Sequence, residues 1–371
     1  MSYLLAFAGF AALIILHELG HFAAAKAVGM RVERFALFFP PLVARWRKKD
    51  SETEYAIGAI PLGGYVKITG MSPQEDMPAE VAHRAYYRQA VWKRIVVIGA
   101  GPLVNIVLAF LILWVLFLSE GRPVPGVGVL ETQSAPATHV LEDGDKILSA
   151  DGVPGYAPGQ SEAEVDRRMR ALRKVIGSHT CAGRQVDGCR AAEPVRMVVQ
   201  RDGRRLALNI TPRYDAQAKR MLVGFSFGAR EDLGPVAAAS TSVSGMWSVT
   251  TTTVDRIVRI FYDSKARDEV SGVVGSYEAT RQSFEFDTVQ AVSILALISL
   301  SLGIINLFPF LPLDGGHIFW AVAEKLRGRA ISFNVMERAS IVGFMLVLFL
   351  FYVGLSNDIG RLSSGEGFGV R

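Results

Sequence analysis

The chain lacks several features that mark common classes of protein. Only two cysteines occur among its 371 residues, so no disulfide framework holds the fold. It has no long basic run and no interleaving of basic with aromatic residues, and the net charge is only +5, which argues against nucleic acid as a partner. The N-terminus has neither a charged segment nor a small-residue cleavage site. We therefore expect its first apolar segment to be a retained transmembrane helix rather than a signal peptide.

What the chain has instead is apolar sequence. Half of its residues are hydrophobic and the mean hydropathy is +0.28, which is typical of a polytopic membrane protein that carries a soluble domain. Four segments are long and apolar enough to span a bilayer. These predicted spans are 2–28 within the segment 1–30, 95–119, 288–313 within the segment 288–320, and 339–357.

Basic residues predict the orientation of these spans. Arg and Lys are concentrated in the loop 31–94 and in the loop 321–338, so the positive-inside rule places both loops in the cytoplasm. The long region 121–287 and both termini, including the tail 358–371, then lie outside. We expect the protein in the plasma (inner) membrane of a bacterium, with its soluble domain outside the cytoplasm.

The first predicted span contains the sequence HELGH, in which His17 and His21 are four residues apart and share one face of a helix. That spacing lets two imidazoles bind one Zn²⁺, with Glu18 beside the metal as a general base. The alternative is a chance match of the motif. A chance match leaves unexplained why three polar side chains lie in an apolar segment, where they are costly unless they are paired or bind a ligand.

A third ligand is expected at the cytoplasmic end of the third predicted span. The sequence there runs from Asn306 to His317 and contains two prolines, Pro309 and Pro312, which prevent a continuous helix. Asp314 follows this uncharged span and needs a partner at such depth. A carboxylate would complete three protein ligands and leave the fourth zinc position open for water. His317 is the rival ligand, but it lies further out and is predicted to be an interfacial histidine.

Two β-rich runs joined by Pro-Leu-Gly-Gly predict a hairpin over 53–68, apolar enough to dip into the membrane. An edge strand of this hairpin could pair with an extended substrate. A plain cytoplasmic hairpin is the alternative, and the sequence leaves both open. The residues that we predict to contact substrate are Tyr55, Ile57, Ile60, Tyr65 and Ile68 of the hairpin, and Pro309 further along the chain.

Between the second and third spans, residues 121–228 have the composition of a soluble domain. Short strands are predicted at 126–130, 146–150, 195–199 and 206–210, and an amphipathic helix at 161–176. The pattern from Ser134 to Gly152 resembles a PDZ domain of the protease-associated type, and the alternative is an unrelated small β-rich domain. Cys181 and Cys189 bracket a polar segment, and we favour a local disulfide over two free thiols.

The region 229–287 is predicted to connect this domain to the third span. Residues 254–261 have helical spacing and suggest an amphipathic helix on the outer membrane surface, with a surface helix of the PDZ-like domain as the alternative. Residues 272–285 are then expected to be a polar linker.

These motifs together resemble the site-2 protease family, and their arrangement is similar to the bacterial regulator of sigma-E protease group. The resemblance rests on HELGH in the first span, the Pro-Leu-Gly-Gly loop, the PDZ-like insertion and NxxPxxxxDGG, and it covers nearly the whole chain. It implies that His17, His21 and Asp314 bind zinc and that Glu18 is the catalytic base. It also implies that Asn306 holds the substrate or its oxyanion.

The chain departs from the family pattern at three places. The best-known members carry two PDZ domains, whereas this chain has room for one. A Gly-Phe-Gly-Pro often found after the first span is replaced by residues 37–41, and residues 271–275 only partly match a Ser-Gly-Pro-x-Gly pattern. These departures concern substrate handling and leave the chemistry unchanged.

We therefore expect a polytopic α-helical membrane protein of about four transmembrane helices, with a membrane-dipping β-hairpin and an inserted extracytoplasmic PDZ-like α+β domain. Its expected activity is that of a zinc-dependent intramembrane endopeptidase acting on transmembrane-helix proteins in the lipid bilayer. The PDZ-like domain is expected to contact a peptide or a substrate ectodomain. A non-catalytic membrane adaptor with a structural metal is the alternative, although structural zinc is usually closed by four protein ligands. A transporter is disfavoured because the sequence shows no internal repeat.

Overall fold

The computed structural model describes residues 1–71, 75–216, 218–268, 270–329 and 331–364. The chain forms two compact units. Among the described residues, the first consists of Met1–Leu116 together with residues 239–364, and the second is Phe117–Ala238.

The described residues form nine α-helices and ten β-strands. The helices are α1 Ser2–Ala27, α2 Val91–Glu120, α3 Glu162–Gly177, α4 Pro235–Arg259, α5 Ser264–Asp268, α6 Val273–Phe286, α7 Thr288–Asn306, α8 Asp314–Arg327 and α9 Phe333–Ser364. The strands are β1 Val32–Arg47, β2 Glu54–Ile68, β3 Arg122–Thr132, β4 Lys146–Ala150, β5 Val153–Pro154, β6 Val195–Arg201, β7 Arg204–Ile210, β8 Arg213–Asp215, β9 Arg220–Leu222 and β10 Phe225–Glu231.

Four of these helices are long and apolar enough to cross a membrane: α1, α2, α7 and most of α9. Two of the helices have other bounds than the predicted spans with which they overlap. Helix α7 ends at Asn306, because Pro309 and Pro312 follow and a proline has no N–H to continue the ladder. Helix α9 begins well before the predicted position, since charged residues in its first turns do not interrupt a helix.

Local sequence signals explain several of the helix ends. The side chain of Asp287 caps α7 by accepting hydrogen bonds from the backbone N–H groups of Val289 and Gln290. Helix α8 ends at Gly328, which has the left-handed conformation that glycine adopts without steric cost.

The sheet of the first unit is formed by β1 and β2, each of which folds back on itself. Ala36 pairs with Tyr65 on one side and with Ala56 on the other, and Ile57 pairs with both Leu37 and Ala44. The four segments therefore lie in the order 42–47, 54–58, 32–37, 64–68. Residues 54–58 are inside the sheet, whereas 64–68 form one edge of it among the described residues.

This order corrects part of the predicted substrate strand. Tyr55 and Ile57 are paired on both sides, so they cannot offer a free backbone to another chain. A hairpin of two simple strands was expected, but the turn at 38–41 doubles β1 back on itself and covers residues 54–58. The edge-strand hypothesis is left with residues 64–68.

The second unit is an antiparallel sheet in the order β10-β3-β4-β6-β7, with β5 paired to β4. The predicted strands at 126–130, 146–150, 195–199 and 206–210 are all present, and the predicted helix is α3, capped by Ser161. The core between α3 and the sheet contains buried Leu172 and Ile176 from the helix. Cys181 and Cys189 form a disulfide, as we favoured.

The region after this unit contains more helix than expected. Residues 272–285 were predicted to be a polar linker, and this is wrong, because they lie in α6 with their polar side chains hydrogen-bonded. The backbone N–H groups of Gly272 and Gly275 donate to the carboxylate of Asp358 in α9, which caps α6 from 83 or more residues away. A cap this distant leaves no local signal in the sequence.

Helix α4 is also longer than the predicted 254–261. Its Met246 and Val249 pack against a buried cluster formed by Ala109 of α2 with Leu300 and Ile304 of α7. These contacts belong to the first unit but involve residues before 254, so both alternatives for residues 254–261 stay predictions.

A cluster of charges joins the C-terminal end of α1 to the loops that follow it. Glu52 accepts two hydrogen bonds from the guanidinium of Arg84, at 2.7 and 2.8 Å, and one from Lys26 of α1 at 3.2 Å. These bonds, those from Arg84 first, lower the pKa of the Glu52 carboxyl from its usual 4.5 to about 2.

This lowered pKa predicts how stability depends on pH. The ionised Glu52 stabilises the fold above its unfolded pKa, and the contribution is lost as the pH falls from about 4.5 towards 2. Glu52→Gln should therefore lower stability at pH 7 by a few tenths to about 1 kcal/mol, the range for partly exposed ion pairs. Melting temperatures in detergent should differ at pH 7 and converge near pH 2. An equal difference at both pH values would contradict the assignment.

Candidate active site

Two histidines of α1 lie side by side in the interior of the first unit. His17 and His21 are each only 7% exposed, and their Nε2 atoms are 3.3 Å apart. The single helical turn between them places both rings on one face, as the spacing predicts.

Helix α2 holds the ring of His21 in place. Nδ1 of His21 donates to the backbone carbonyl of Val97 at 2.9 Å, which leaves Nε2 with a free lone pair. The ring rests directly on Gly101, where any Cβ would overlap Nε2. The two helices also approach closely at Gly20, whose added Cβ would lie 2.7 Å from the Ala100 carbonyl oxygen.

Asp314 reaches the histidines from the first turn of α8. Its Oδ2 lies 3.3 Å from Nε2 of His17 and 3.3 Å from Nε2 of His21. The loop 307–313 folds back on this turn so tightly that a Cβ at Gly315 would overlap the Leu307 carbonyl. The glycine next to Asp314 thus allows the carboxylate to approach from the end of the third apolar segment.

The three ligand atoms fit a zinc ion. Zinc at the usual distance of about 2.0–2.1 Å from tetrahedral ligands separates neighbouring ligand atoms by about 3.3–3.4 Å. All three separations here are 3.3 Å. Oδ2 of Asp314 is buried and accepts no hydrogen bond from the described part of the chain, which suits a metal ligand. Within the described residues, the cluster that could hold a metal consists of His17, His21 and Asp314, and His317 does not belong to it.

Glu18 lies next to this cluster and is half-buried. Its carboxylate makes no hydrogen bond to another described residue, so it is free to accept a proton from a substrate or water. Gly64, at the start of the edge segment 64–68, packs against it, and a Cβ at Gly64 would lie 2.8 Å from Cγ of Glu18. The edge of the sheet therefore passes directly beside Glu18.

The other predicted site residues are placed as follows. Asn306 is the last residue of α7 and is half-buried, and Pro309 lies exposed in the loop that leads to Asp314. Tyr65 lies in the edge segment. Ile60 lies in β2, where it is paired with Phe39, and is 41% exposed. The side chain of Ile68 is buried in a core with Met30 and Val32, so the predicted contact with substrate is left to the backbone of this residue.

Two further features of the site were not predicted. Asn105 of α2 is fully buried with its amide 3.3 Å from Nδ1 of His17, and Gly101 supports His21. The sequence did contain a signal for Asn105, since it is a polar residue in the middle of a span that is otherwise uncharged and apolar. Nothing local indicates which helix face Gly101 occupies.

Comparison with known proteins agrees with this geometry. The family model described as Peptidase family M50 matches residues 5–350. A Nostoc protein whose name is that of a zinc metalloprotease is 31% identical over 94% of this chain and 93% of its own length. Protease RseP of Yersinia pestis is 26% identical over 94% of this chain and 96% of its own length. The regulator of sigma E protease of Salmonella typhi is likewise 26% identical, over the same shares.

The family match covers most of the chain, and the relatives align with it nearly end to end. Zinc is the metal named for the metalloproteases among them. The chain is therefore a zinc metalloprotease that belongs to peptidase family M50, the site-2 protease family.

Proposed function

We propose that this metalloprotease is an intramembrane endopeptidase that cuts peptide bonds in or near the transmembrane helices of single-span membrane proteins. Membrane-bound anti-sigma factors and signal-peptide remnants are examples of such substrates, and the process would be regulated intramembrane proteolysis. One observation carries the proposal. His17 and His21 lie on α1, a helix apolar enough to cross a membrane, and their Nε2 atoms are 3.3 Å from each other and from Oδ2 of Asp314, which begins α8 shortly after the apolar helix α7.

The site residues have distinct roles in this proposal. Nε2 of His17, Nε2 of His21 and Oδ2 of Asp314 hold zinc, which when bound supplies Lewis-acid chemistry that activates water and polarises the scissile carbonyl. The carboxylate of Glu18 takes the water proton and passes it to the leaving amine. The amide of Asn306 binds the substrate backbone or its oxyanion. The unpaired Glu18 favours an enzyme over an adaptor with a structural metal, because a structural site has no use for a free carboxylate beside it.

The substrate must first be unwound, because a transmembrane helix keeps its carbonyls in internal hydrogen bonds. We propose that the edge segment 64–68 gives the unwound backbone new partners by strand addition. The contact between Gly64 and Glu18 supports this, since a strand added at that edge would run past the catalytic base. Backbone pairing is largely indifferent to side chains, which suits an enzyme that cuts diverse helices.

The proposed setting is the bacterial inner membrane. The basic loops 31–94 and 321–338 favour a cytoplasmic location for both, which puts the zinc site near the cytoplasmic side and the second unit outside. The antiparallel sheet with one packed helix supports a PDZ-like assignment of that unit. Its proposed partner is a peptide or the ectodomain of a substrate.

The first test concerns the metal. Asp314→Asn should lower zinc affinity by about 100-fold or more and abolish cleavage, because a neutral amide oxygen replaces an anionic ligand. His317→Gln is the matched control and should retain both zinc and activity. Zinc is measured in the purified protein by metal analysis after dialysis against a chelator. Full occupancy in Asp314→Asn would refute the ligand assignment, and loss of zinc from His317→Gln would point to the rival ligand.

The second test concerns strand addition. Along an edge strand, successive N–H groups point alternately inward, to the neighbouring strand, and outward, away from the sheet. One of the two variants Tyr65→Pro and Val66→Pro therefore removes an outward N–H donor. That variant should fold, hold zinc and cut a model transmembrane substrate about five- to tenfold more slowly, the effect of one backbone hydrogen bond worth about 1 kcal/mol. Val66→Ile keeps the backbone and should change little. Helix-breaking residues in the substrate should partly rescue the slow variant.

The outcome against strand addition is equally specific. Of Tyr65→Pro and Val66→Pro, the variant that unfolds has lost the N–H that bonds within the sheet, and the variant that folds has lost the outward N–H. If the folded variant holds zinc and cuts at the wild-type rate, the outward N–H has no role in cleavage. The sheet edge is then structural only.

A further inference from the structure

Asn105 has an unsatisfied atom at the metal site. The residue is fully buried, its Nδ2 lies 3.3 Å from Nδ1 of His17, and its Oδ1 is buried without a hydrogen-bond partner among the described residues. A buried amide oxygen without a partner is costly, and native structures contain few of them. The orientation of this amide therefore needs an explanation.

The chemistry of a metal-bound histidine supplies one. His17 presents Nε2 to His21 and Asp314, so Nε2 is the nitrogen that faces the metal position. A neutral imidazole that binds through Nε2 carries its proton on Nδ1. The Nδ1–H of His17 and the amide N–H of Asn105 would then be two donors facing each other at 3.3 Å. The amide oxygen, which is an acceptor, would point elsewhere with nothing to accept.

We propose that Asn105 is the positioning residue of His17, with its amide turned so that Oδ1 accepts the Nδ1–H. The inference rests on the proposed ligand role of His17. Turning an amide exchanges two atoms of nearly equal size, so it requires no movement of the surrounding helices. The resulting hydrogen bond fixes the tautomer and the ring orientation in which Nε2 of His17 binds zinc.

The two histidines are thus positioned by different means. His21 donates to a backbone carbonyl, that of Val97, which no substitution removes. His17 depends on a side chain from the same helix. The backbone of α2 lies close to α7 at this point, since Ser299 of α7 donates to the backbone carbonyl of Asn105 at 2.9 Å and a Cβ added at Gly303 would lie 3.5 Å from the Cβ of Asn105. Neither contact involves the amide group of Asn105.

The experiment measures zinc affinity by chelator competition in the purified full-length protein in detergent. Asn105→Leu keeps the volume and removes the acceptor, and it should weaken zinc binding by about 10- to 100-fold. Asn105→Asp restores an acceptor and should hold zinc within about threefold of wild type or more tightly. Ser299→Ala touches only the backbone of Asn105 and serves as the matched control, with zinc affinity unchanged.

Three results would overturn the proposal. The first is a folded Asn105→Leu variant that binds zinc as tightly as wild type. The second is loss of zinc from both Asn105 variants, since a packing role is not rescued by a carboxylate. The third applies if Asn105→Leu fails to fold, because Asn105→Asp then decides alone: loss of zinc from that variant would overturn the proposal. His17→Ala is measured in parallel, because full zinc in that variant would refute the proposed ligands themselves.

Discussion

The structure of the active site depends on one constraint, which is that polar atoms inside apolar helices must each have a partner. Three ligand atoms are held at mutual distances of 3.3 Å. In water each of these three atoms would exchange hydrogen bonds freely with solvent. Because the two histidines are buried and Asp314 is mostly buried, little solvent competes for these atoms, so the protein must supply the remaining contacts of each ring. A zinc ion satisfies the three inward-facing atoms at once.

The close approach of the surrounding segments follows from this requirement. Gly101 lies beneath the ring of His21, Gly64 beside the carboxylate of Glu18 and Gly315 against the loop that precedes α8. At each position a Cβ would meet a neighbouring group within 2.8 Å or less, so a larger residue would push apart elements that the site needs close together. Small residues at helix contacts are also how helices pack in membranes, where apolar surface provides no net drive for association.

The parts of this site that could be predicted from the sequence are those that depend on local geometry. His17, Glu18 and His21 share a face because of helical spacing, and Asp314 could be identified because a carboxylate after an uncharged span needs a partner. The strands of the second unit were predicted for the same reason, since alternating residues between turns are a local pattern. The bridge between Cys181 and Cys189 closes a short loop, which is also a local feature.

Several of the failures involve partners that are distant in sequence. The segment 272–285 looked like a linker because the carboxylate that caps it, Asp358, belongs to another helix. Tyr55 and Ile57 looked like an edge because the doubling of β1 could not be foreseen from its alternation. Asn105 was overlooked because its role depends on its contact with His17, which is 88 residues away in the sequence.

The proposed role of Glu18 as the base for peptide hydrolysis at the zinc site can be separated from metal binding by a single substitution. Purified Glu18→Gln should retain zinc at the wild-type level, because Glu18 is not among the ligands. Its cleavage of a model single-span substrate in detergent should fall by about 10²- to 10⁴-fold, the usual contribution of a general base. A Glu18→Gln variant that holds zinc and cuts at a rate close to that of wild type would contradict the account.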